Sequence, residues 1–210
     1  MFYLQEKVNF TNSTLIFPSV SVGNVGQLTT DLLITALKPK KVGLIWHSSI
    51  IPLVGGDPYN FNNPNLTTSA EVYFSEERKL IIIQIRSPIT KKMSGDFISM
   101  LVDWIKKNSI SKVFILAGVF EYTRHDNEIS GSSLKIVTSQ DLTKEFEHVA
   151  EGIAAAVVMK FCSEGDNVPD SKLLCNFINQ LLKLVPSDAV WEAPPSWINM
   201  FGNSPQLGLY

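Results

Sequence analysis

A glycine-containing turn near the N-terminus is the first feature that could carry chemistry. Gly23 and Gly26 follow the apolar run Leu15-Ile16-Phe17 and precede a helical pattern, within the stretch Pro18–Ile34. A strand, a glycine turn and a helix in this order open an α/β unit, which is where such folds bind dinucleotide phosphates. The fingerprint of that site needs a third glycine at position 21, and this chain has Ser21 there.

The second predicted strand also argues against a dinucleotide site. A dinucleotide site expects an acidic residue near the end of this strand to hold the ribose hydroxyls. The strand ends in Trp46-His47-Ser48-Ser49, without an acid, and no phosphate-binding G-x-x-x-x-G-K-[ST] motif occurs. The sequence therefore favours a structural turn at Gly23 and Gly26, and we expect no cofactor.

Metal-ligand spacing is also missing. The histidines are far apart, at His47, His125 and His148. An acidic group, Glu164, Asp166 and Asp170, lacks the alternating oxygen ligands and closing glutamate of a calcium loop. These acids lie where a helix begins, so stabilising the helix N-terminus is the simpler interpretation. We expect no metal site.

Nucleophilic catalysis finds no support either. The chain has no G-x-S-x-G elbow, and the adjacent residues Arg124, His125 and Asp126 have side chains that diverge. We predict a solvated loop there. Cys162 and Cys175 do not form a C-x-x-C pair and are predicted to be free, buried thiols. The chain is thus predicted not to be an enzyme.

The elements that position these residues follow from hydrophobic periodicity. Strands are predicted at 15–17, 42–46, 71–74, 80–85 and 113–117, and helices at 25–37, 95–107, 142–151 and 167–184. Segment 154–161 is ambiguous between helix and strand, although Val157-Val158 favour a strand. The run 42–46 is typical of a parallel strand buried on both faces, and residues 60–65 and 128–141 are predicted to be surface loops.

Composition excludes several classes of protein. The chain has 210 residues with a formal net charge of −2, 45% hydrophobic residues and 18% charged residues. No Lys/Arg run exceeds two residues, so we expect neither nucleic acid nor an anionic membrane as the main partner. No secretory signal and no membrane-spanning run are recognised.

The last twenty residues differ from the rest. Residues 191–210 are rich in aromatic residues and proline, too apolar for a disordered tail and too proline-rich for a helix. We therefore predict an α/β domain over residues 1–190 and a tail over residues 191–210 that docks partly on the domain or on another chain.

Two blocks carry a family resemblance. Pro18–Leu28 and Lys160–Asp170 resemble the two signature blocks of the proteasome assembly chaperone family. Further matches in the same order are Pro52–Tyr59, Ala70–Tyr73, Arg78–Leu80, Arg86-Ser87, Pro195–Trp197 and Phe201-Gly202. The matches span nearly the whole chain.

The resemblance implies a fold and a function. The fold would be a single, three-layer-like α/β domain with a mostly parallel central sheet flanked by helices, similar in topology to nucleoside phosphorylases but without their active site. The function would be that of a non-enzymatic chaperone in the cytoplasm and nucleus. It would form a heterodimer with proteasome assembly chaperone 1, bind proteasome α subunits, promote the α-ring of the 20S core particle and block off-pathway α-ring dimers.

One alternative stays open, and one site residue pair follows from the resemblance. The alternative is a nucleoside- or nucleotide-processing enzyme of related fold. Assembly chaperones of this system can insert a C-terminal hydrophobic–Tyr–X tail between α subunits, and the resemblance therefore implies Leu209 and Tyr210 as partner-binding residues. Tyr210 is the last residue here, and the segment between Arg124 and Val157 is shorter than in longer family members.

Overall fold

The computed structural model of the protein describes residues 1–124, 131–139, 153–198 and 200. The predicted helix at 142–151 and the residues Leu209 and Tyr210 lie outside the described residues.

Three α-helices are formed in the described residues. They are α1 (Val25–Leu37), α2 (Ser94–Lys107) and α3 (Val168–Leu182). Each was predicted from its apolar stripe. In α2, for example, Phe97, Leu101, Trp104 and Ile105 recur at helical spacing and are all buried. Lys106 and Lys107 lie in its last turn, where positive charge suits the helix dipole.

The strands of the described residues form a large sheet and a small one. The large sheet contains β1 (Phe2–Leu4), β2 (Thr14–Pro18), β3 (Lys40–Ile45), β6 (Ala70–Ser75), β7 (Leu80–Ile85), β8 (Lys112–Phe120), β9 (Leu134–Thr138) and β10 (Ala154–Cys162). The small sheet pairs β4 (Val54–Gly56) with β5 (Leu66–Thr68). The strand order in the large sheet is β1-β3-β6-β7-β2-β8-β10-β9.

The sheet is mixed, with parallel strands at its centre. β2 pairs in parallel with β7 and β8, and β8 pairs in parallel with β10. β3 and β7 are both antiparallel to β6, so β3 runs in the same direction as these central strands. The predicted α/β fold with a mostly parallel sheet and flanking helices is confirmed.

Helices cover both faces of the sheet. The alternating side chains of β7 show the division, because Ile81, Ile83 and Ile85 belong to one core cluster and Leu80 and Ile82 to the other. Helix α2 packs on the first face. Helices α1 and α3 pack on the second face and contact each other through Thr29 Oγ1, which donates to the Ser171 carbonyl.

Three sequence predictions are corrected. Strand β3 was predicted to have parallel neighbours, but β1 and β6 both pair with it antiparallel. A run of apolar residues indicates burial on two faces, and helices on both sides of this sheet bury antiparallel strands equally well. Strand β8 was predicted to end before Gly118 and continues to Phe120.

The third correction concerns the predicted loop at 128–141. Its described part contains β9, which pairs antiparallel with β10 and is the last strand in the sheet order of the described residues. The side chains of β9 are at most partly buried, and the serine and glycine residues around this short strand are typical of a loop.

Candidate functional site

The glycine turn is filled by other parts of the protein. Gly23 has a φ of +63°, and a Cβ there would overlap the Asn167 side chain, whose Cγ would be 2.6 Å away. A Cβ on Gly26 would overlap the Leu116 carbonyl oxygen of β8. The glycines therefore permit close packing of the turn against β8 and the loop before α3, and leave no phosphate cradle.

Ser21 explains why the first glycine of the fingerprint is missing. Its Oγ accepts a hydrogen bond from the backbone N–H of Gly118 over 2.9 Å. Just before it, the Ser19 N–H donates to the Leu116 carbonyl over 2.8 Å. The turn thus extends the pairing of β2 with β8, and a side-chain oxygen replaces a backbone acceptor.

The acidic residues near α3 are also structural. Asp170, in the first turn of α3, pairs with the buried Lys160 at 2.7 Å, and Asp166 Oδ1 accepts from the Val168 N–H at 3.0 Å. Asn167 precedes the helix but makes no side-chain cap, and its Nδ2 donates to the Gly165 carbonyl. No group of three or more His, Cys, Asp or Glu within the described residues could hold a metal ion.

The predicted solvated loop near Arg124 is wrong for Arg124 itself. Its side chain is 6% exposed and pairs with Glu121. Its Nη2 also donates to the carbonyls of Gly131 and Ser132, and the guanidinium lies 5.4 Å from the centroid of the Phe161 ring. Arg124 therefore links Gly131 and Ser132, which lie just before β9, to Glu121 and Phe161. His125, Asp126 and His148 lie outside the described residues.

The remaining candidate side chains are either hydrogen-bonded within the protein or unreactive. His47 Nδ1 accepts from the Ser49 N–H at 3.1 Å and contacts Ser49 Oγ at 2.7 Å. Cys162 and Cys175 are free and buried, as predicted. Burial raises the pKa of both thiols, so they stay protonated and unreactive at neutral pH.

A buried charged cluster joins α1 to β7. The Asp31 side chain is 7% exposed, and its Oδ1 accepts from Arg86 Nη2 at 2.7 Å, Gln84 Nε2 at 2.6 Å and the Tyr59 hydroxyl at 2.6 Å. Gln84 also accepts from Thr30 Oγ1 at 2.8 Å. Burial and the Asp31 carboxylate raise the pKa of Tyr59 well above its ordinary value.

A second buried carboxylate lies on β6. The Glu71 side chain is 2% exposed and pairs with Lys41 at 3.0 Å. Its oxygens also accept from Thr67 Oγ1 at 2.7 Å, the Tyr73 hydroxyl at 2.7 Å and the Thr68 N–H at 3.1 Å. Burial, together with Glu71, raises the pKa of Tyr73 above its ordinary range.

These carboxylates are poor candidates for catalysis. Asp31 and Glu71 each accept four hydrogen bonds, which is about the full capacity of a carboxylate. A general base needs a free lone pair directed at a substrate proton. The arrangement instead holds separate segments together, and most of the bonds on both carboxylates come from other strands or loops.

The segment that these clusters hold is the 54–68 hairpin, which we define as β4, β5 and the connecting residues 57–65. Thr67 and Thr68 bind Glu71, and Tyr59 binds Asp31. Just before the hairpin, the Ile51 carbonyl accepts from both Ser69 Oγ and Ser87 Oγ at 2.7 Å. A cavity of about 860 Å³ lies between the hairpin, the C-terminal end of α1 and β6.

The outer face of this hairpin is apolar. Val54 pairs with Thr68 and Gly56 with Leu66, so Val54 and Leu66 share the face opposite the buried Thr67. Val54 is 67% exposed and Leu66 62% exposed. Leu53 and Phe61 are also exposed. We call four exposed residues the hairpin surface: Leu53, just before the hairpin, and Val54, Phe61 and Leu66 within it.

The tail is anchored at its start. Trp191 is buried, and its Nε1 donates to Asn176 Oδ1 of α3 at 2.7 Å. Farther on, the Ser196 N–H donates to the Pro58 carbonyl in the hairpin at 3.2 Å. The division at residue 190 remains a prediction, and the described tail residues pack on the domain and on the hairpin.

Sequence reasoning missed both buried carboxylates and the exposed hairpin face. The signals were present: Asp31 interrupts an apolar helical stripe, Gln84 interrupts a run of isoleucines, and Glu71 is the second residue of a mostly buried strand. A polar residue among buried apolar neighbours needs a partner, but the sequence alone does not identify that partner.

The fold and the site together define an α/β protein in which the buried carboxylates Asp31 and Glu71 hold the hairpin and, within the described ranges, no His, Cys, Asp or Glu group could hold a metal ion. None of the helices described is long and apolar enough to span a membrane. Comparison with known proteins gives the family. The PAC2 family model matches residues 15–181, and the chain belongs to the PAC2 family.

Curated relatives extend over nearly the same length. The protein named Proteasome assembly chaperone 2 of Xenopus laevis is 36% identical over 238 residues, covering 91% of this chain and 92% of that protein. The Homo sapiens protein of the same name is 31% identical over 242 residues, covering 90% and 92%.

Solved structures support the fold. Pyrococcus furiosus PbaA, described as an archaeal homolog of proteasome-assembly chaperone, superposes with a TM-score of 0.71 at 16% identity and covers 96% of this chain and 93% of its own. Pyrococcus furiosus PbaB, described as an archaeal proteasome activator, gives a TM-score of 0.61 at 15% identity and covers 88% and 89%.

Proposed function

We propose that this chain is a proteasome assembly chaperone that acts as a heterodimer with proteasome assembly chaperone 1. The pair binds proteasome α subunits, promotes assembly of the α-ring of the 20S core particle and prevents off-pathway α-ring dimers. The observation that carries the proposal is the match to proteins named Proteasome assembly chaperone 2 over about nine-tenths of both chains.

The local chemistry supports a binding role rather than catalysis. The hydrogen-bonding capacity of Asp31 and Glu71 is used within the protein, and the glycine turn has no room for a phosphate. The hairpin surface offers exposed apolar side chains of the kind found in protein interfaces. The proposal therefore includes no enzymatic activity, no cofactor and no nucleic-acid partner.

The direct test is co-expression and affinity capture. A tagged form of this chain, co-expressed with proteasome assembly chaperone 1, is expected to give a soluble one-to-one complex. Capture from cells followed by mass spectrometry is expected to recover proteasome α subunits, and depletion is expected to reduce α-rings on native gels. Capture of neither the partner nor α subunits would contradict the proposal.

A second measurement addresses the enzymatic alternative. Under the proposal, nucleosides and nucleotides leave the melting temperature of the chain unchanged. A stable, soluble monomer whose melting temperature rises with an added nucleoside would favour a nucleoside-processing enzyme instead.

The proposal also includes the C-terminal pair. Leu209 and Tyr210 would enter a pocket between α subunits, so a chain that lacks both residues should still form the heterodimer but bind α-rings more weakly. Unchanged α-ring binding would reject tail insertion and leave the rest of the proposal in place.

We further propose that the protein works in the cytoplasm and the nucleus, which imaging of a fluorescent fusion would test. Confinement to any other compartment would contradict this.

A further inference from the structure

An apolar groove of about 240 Å³ lies on the face of the sheet where α2 packs. Helix α2 forms its wall, and strands β8, β9 and β10 form most of its floor. The helix contributes Ile98, Val102 and Ile105, and the strands contribute Ile115, Val137 and Val157. Nearly all of the described side chains that line the groove are apolar, so filling it with apolar side chains would be favourable in water.

The two faces of β10 are buried to different extents. Val158 is fully buried on the face where α1 and α3 pack, whereas its neighbour Val157 lines the groove and is only partly buried. Ala155 lies on the same side as Val157 and is also only partly buried. The apolar floor of the groove therefore extends beyond the area that α2 buries.

The chain reaches the groove at two points that are close in sequence. Ser139 and Ile153 both line it, and the thirteen residues 140–152, which lie outside the described residues, connect them. The Ser139 N–H donates to the Ala155 carbonyl at 2.8 Å, so the connecting segment leaves the sheet and returns to it near the start of β10. A segment held at both ends beside the groove has a high effective concentration there.

The sequence of this segment suits an apolar groove. Leu142, Phe146 and Val149 recur at the spacing of one side of the helix predicted at 142–151. His148 falls on the opposite side of that helix, among charged residues. The predicted helix therefore has one apolar side to bury and one polar side for water.

We propose that residues 140–152 pack in the groove through a helix at 142–151, so that the groove belongs to the core of this chain and is not a surface for another protein. The lengths agree, because a ten-residue helix is about 15 Å long and Ile98 and Ile105 are about 10 Å apart along α2. This inference does not depend on the proposed heterodimer, since it concerns the isolated chain.

The test measures how fast a maleimide reacts with a thiol placed on the floor of the groove. Val157→Cys is compared with Leu173→Cys, which replaces an exposed residue of α3 on the other face of the sheet. Both native thiols, Cys162 and Cys175, are buried, so they should react slowly in the folded chain. In the isolated chain, Val157→Cys is expected to react at least about tenfold more slowly than Leu173→Cys, because the reagent must wait for the segment to leave the groove.

A charge on the segment should expose the groove. With Phe146→Asp added, Val157→Cys is expected to react at least about tenfold faster and the melting temperature to fall by roughly 5 °C or more, since a buried carboxylate is costly. His148→Asp adds the same carboxylate on the polar side of the predicted helix and should change neither quantity. Cys175 stays unlabelled while the domain is folded. If it becomes reactive, the milder Phe146→Ala replaces Phe146→Asp.

Two results would overturn the proposal. Val157→Cys that reacts as fast as Leu173→Cys in the isolated chain would mean that the segment does not fill the groove, and slowing by added proteasome assembly chaperone 1 or α subunits would then assign the groove to a partner. Reaction that stays equally slow with Phe146→Asp would mean that residues 140–152 are not what protects the groove. Neither result decides whether the chain forms the heterodimer, which co-expression tests separately.

Discussion

The Gly118 N–H donates to Ser21 Oγ across the gap between the end of β8 and the turn after β2. The position where a dinucleotide site would have glycine therefore carries a residue with a structural bond. The same turn places the Val22 carbonyl so close to Gly118 that a Cβ there would overlap it. The Ser21–Gly118 hydrogen bond and the close approach of the Val22 carbonyl to Gly118 thus hold this turn against β8.

The glycine turn gives the first prediction. Gly26→Val is expected to reduce folding and the yield of complex, because a Cβ would overlap the Leu116 carbonyl oxygen, which belongs to a backbone that cannot move aside cheaply. Soluble yield and thermal melting measure the effect. Gly95→Ala is the control: nothing lies within 4 Å of its Cβ, and Gly95 is only the second residue of α2, so folding and yield should be unchanged or slightly improved. Normal folding of Gly26→Val would contradict the close-packing argument.

The second prediction concerns the buried ion pair between Asp31 and Arg86. Arg86→Met leaves the Asp31 carboxylate buried with Gln84 and Tyr59 but without its cation, and should cost about 3–5 kcal/mol in urea unfolding. Lys40→Met removes one partner of an exposed pair, 66% and 48% exposed, and should cost less than about 1 kcal/mol. Equal costs for the two variants would refute an anchoring role for Asp31 and Arg86.

The third prediction concerns the stability of the protein at alkaline pH. The pKa of Tyr59 is raised in the folded protein, so the folded state keeps a proton that the unfolded state begins to lose near pH 10. The stability contributed by the protonated Tyr59 hydroxyl is complete below that pH and is lost as the pH rises toward the pKa of Tyr59 in the folded state. Tyr59→Phe should therefore show a shallower loss of stability between about pH 9 and pH 11. Parallel pH profiles of the two proteins would rule out Tyr59 as the source.

The tail gives the fourth. A chain ending at residue 190 loses Trp191 and its bond to Asn176, and should melt at a lower temperature than a chain ending at residue 198. Trp191→Ala should cost about 3–5 kcal/mol from lost packing. Trp191→Phe, which loses mainly the bond, should cost about 1 kcal/mol. If truncation at 190 leaves melting unchanged, the docked tryptophan contributes nothing to stability.

The sequence predicts which segments form strands and helices better than it predicts which strands lie side by side. Runs such as Leu80–Ile85 and the stripe of α2 indicate strand or helix because burial imposes a local period. The parallel pairing predicted for β3 was wrong because local pattern reports burial and not the orientation of adjacent strands. The pairing of Asp31 with Arg86 depends on how β7 lies beside β2 under α1, which no local pattern specifies.

The strand order has a consequence for synthesis on the ribosome. In the central strand β2, Thr14 pairs with Leu80 on one side and Lys112 on the other. A growing chain therefore exposes both edges of β2 until β7 and β8 have emerged from the exit tunnel. Helix α3, which packs on α1, is made later still. Contacts between segments so distant in sequence form slowly and leave apolar strands accessible meanwhile. The nascent protein must therefore avoid association through the exposed edges of β2 until its neighbouring strands are in place.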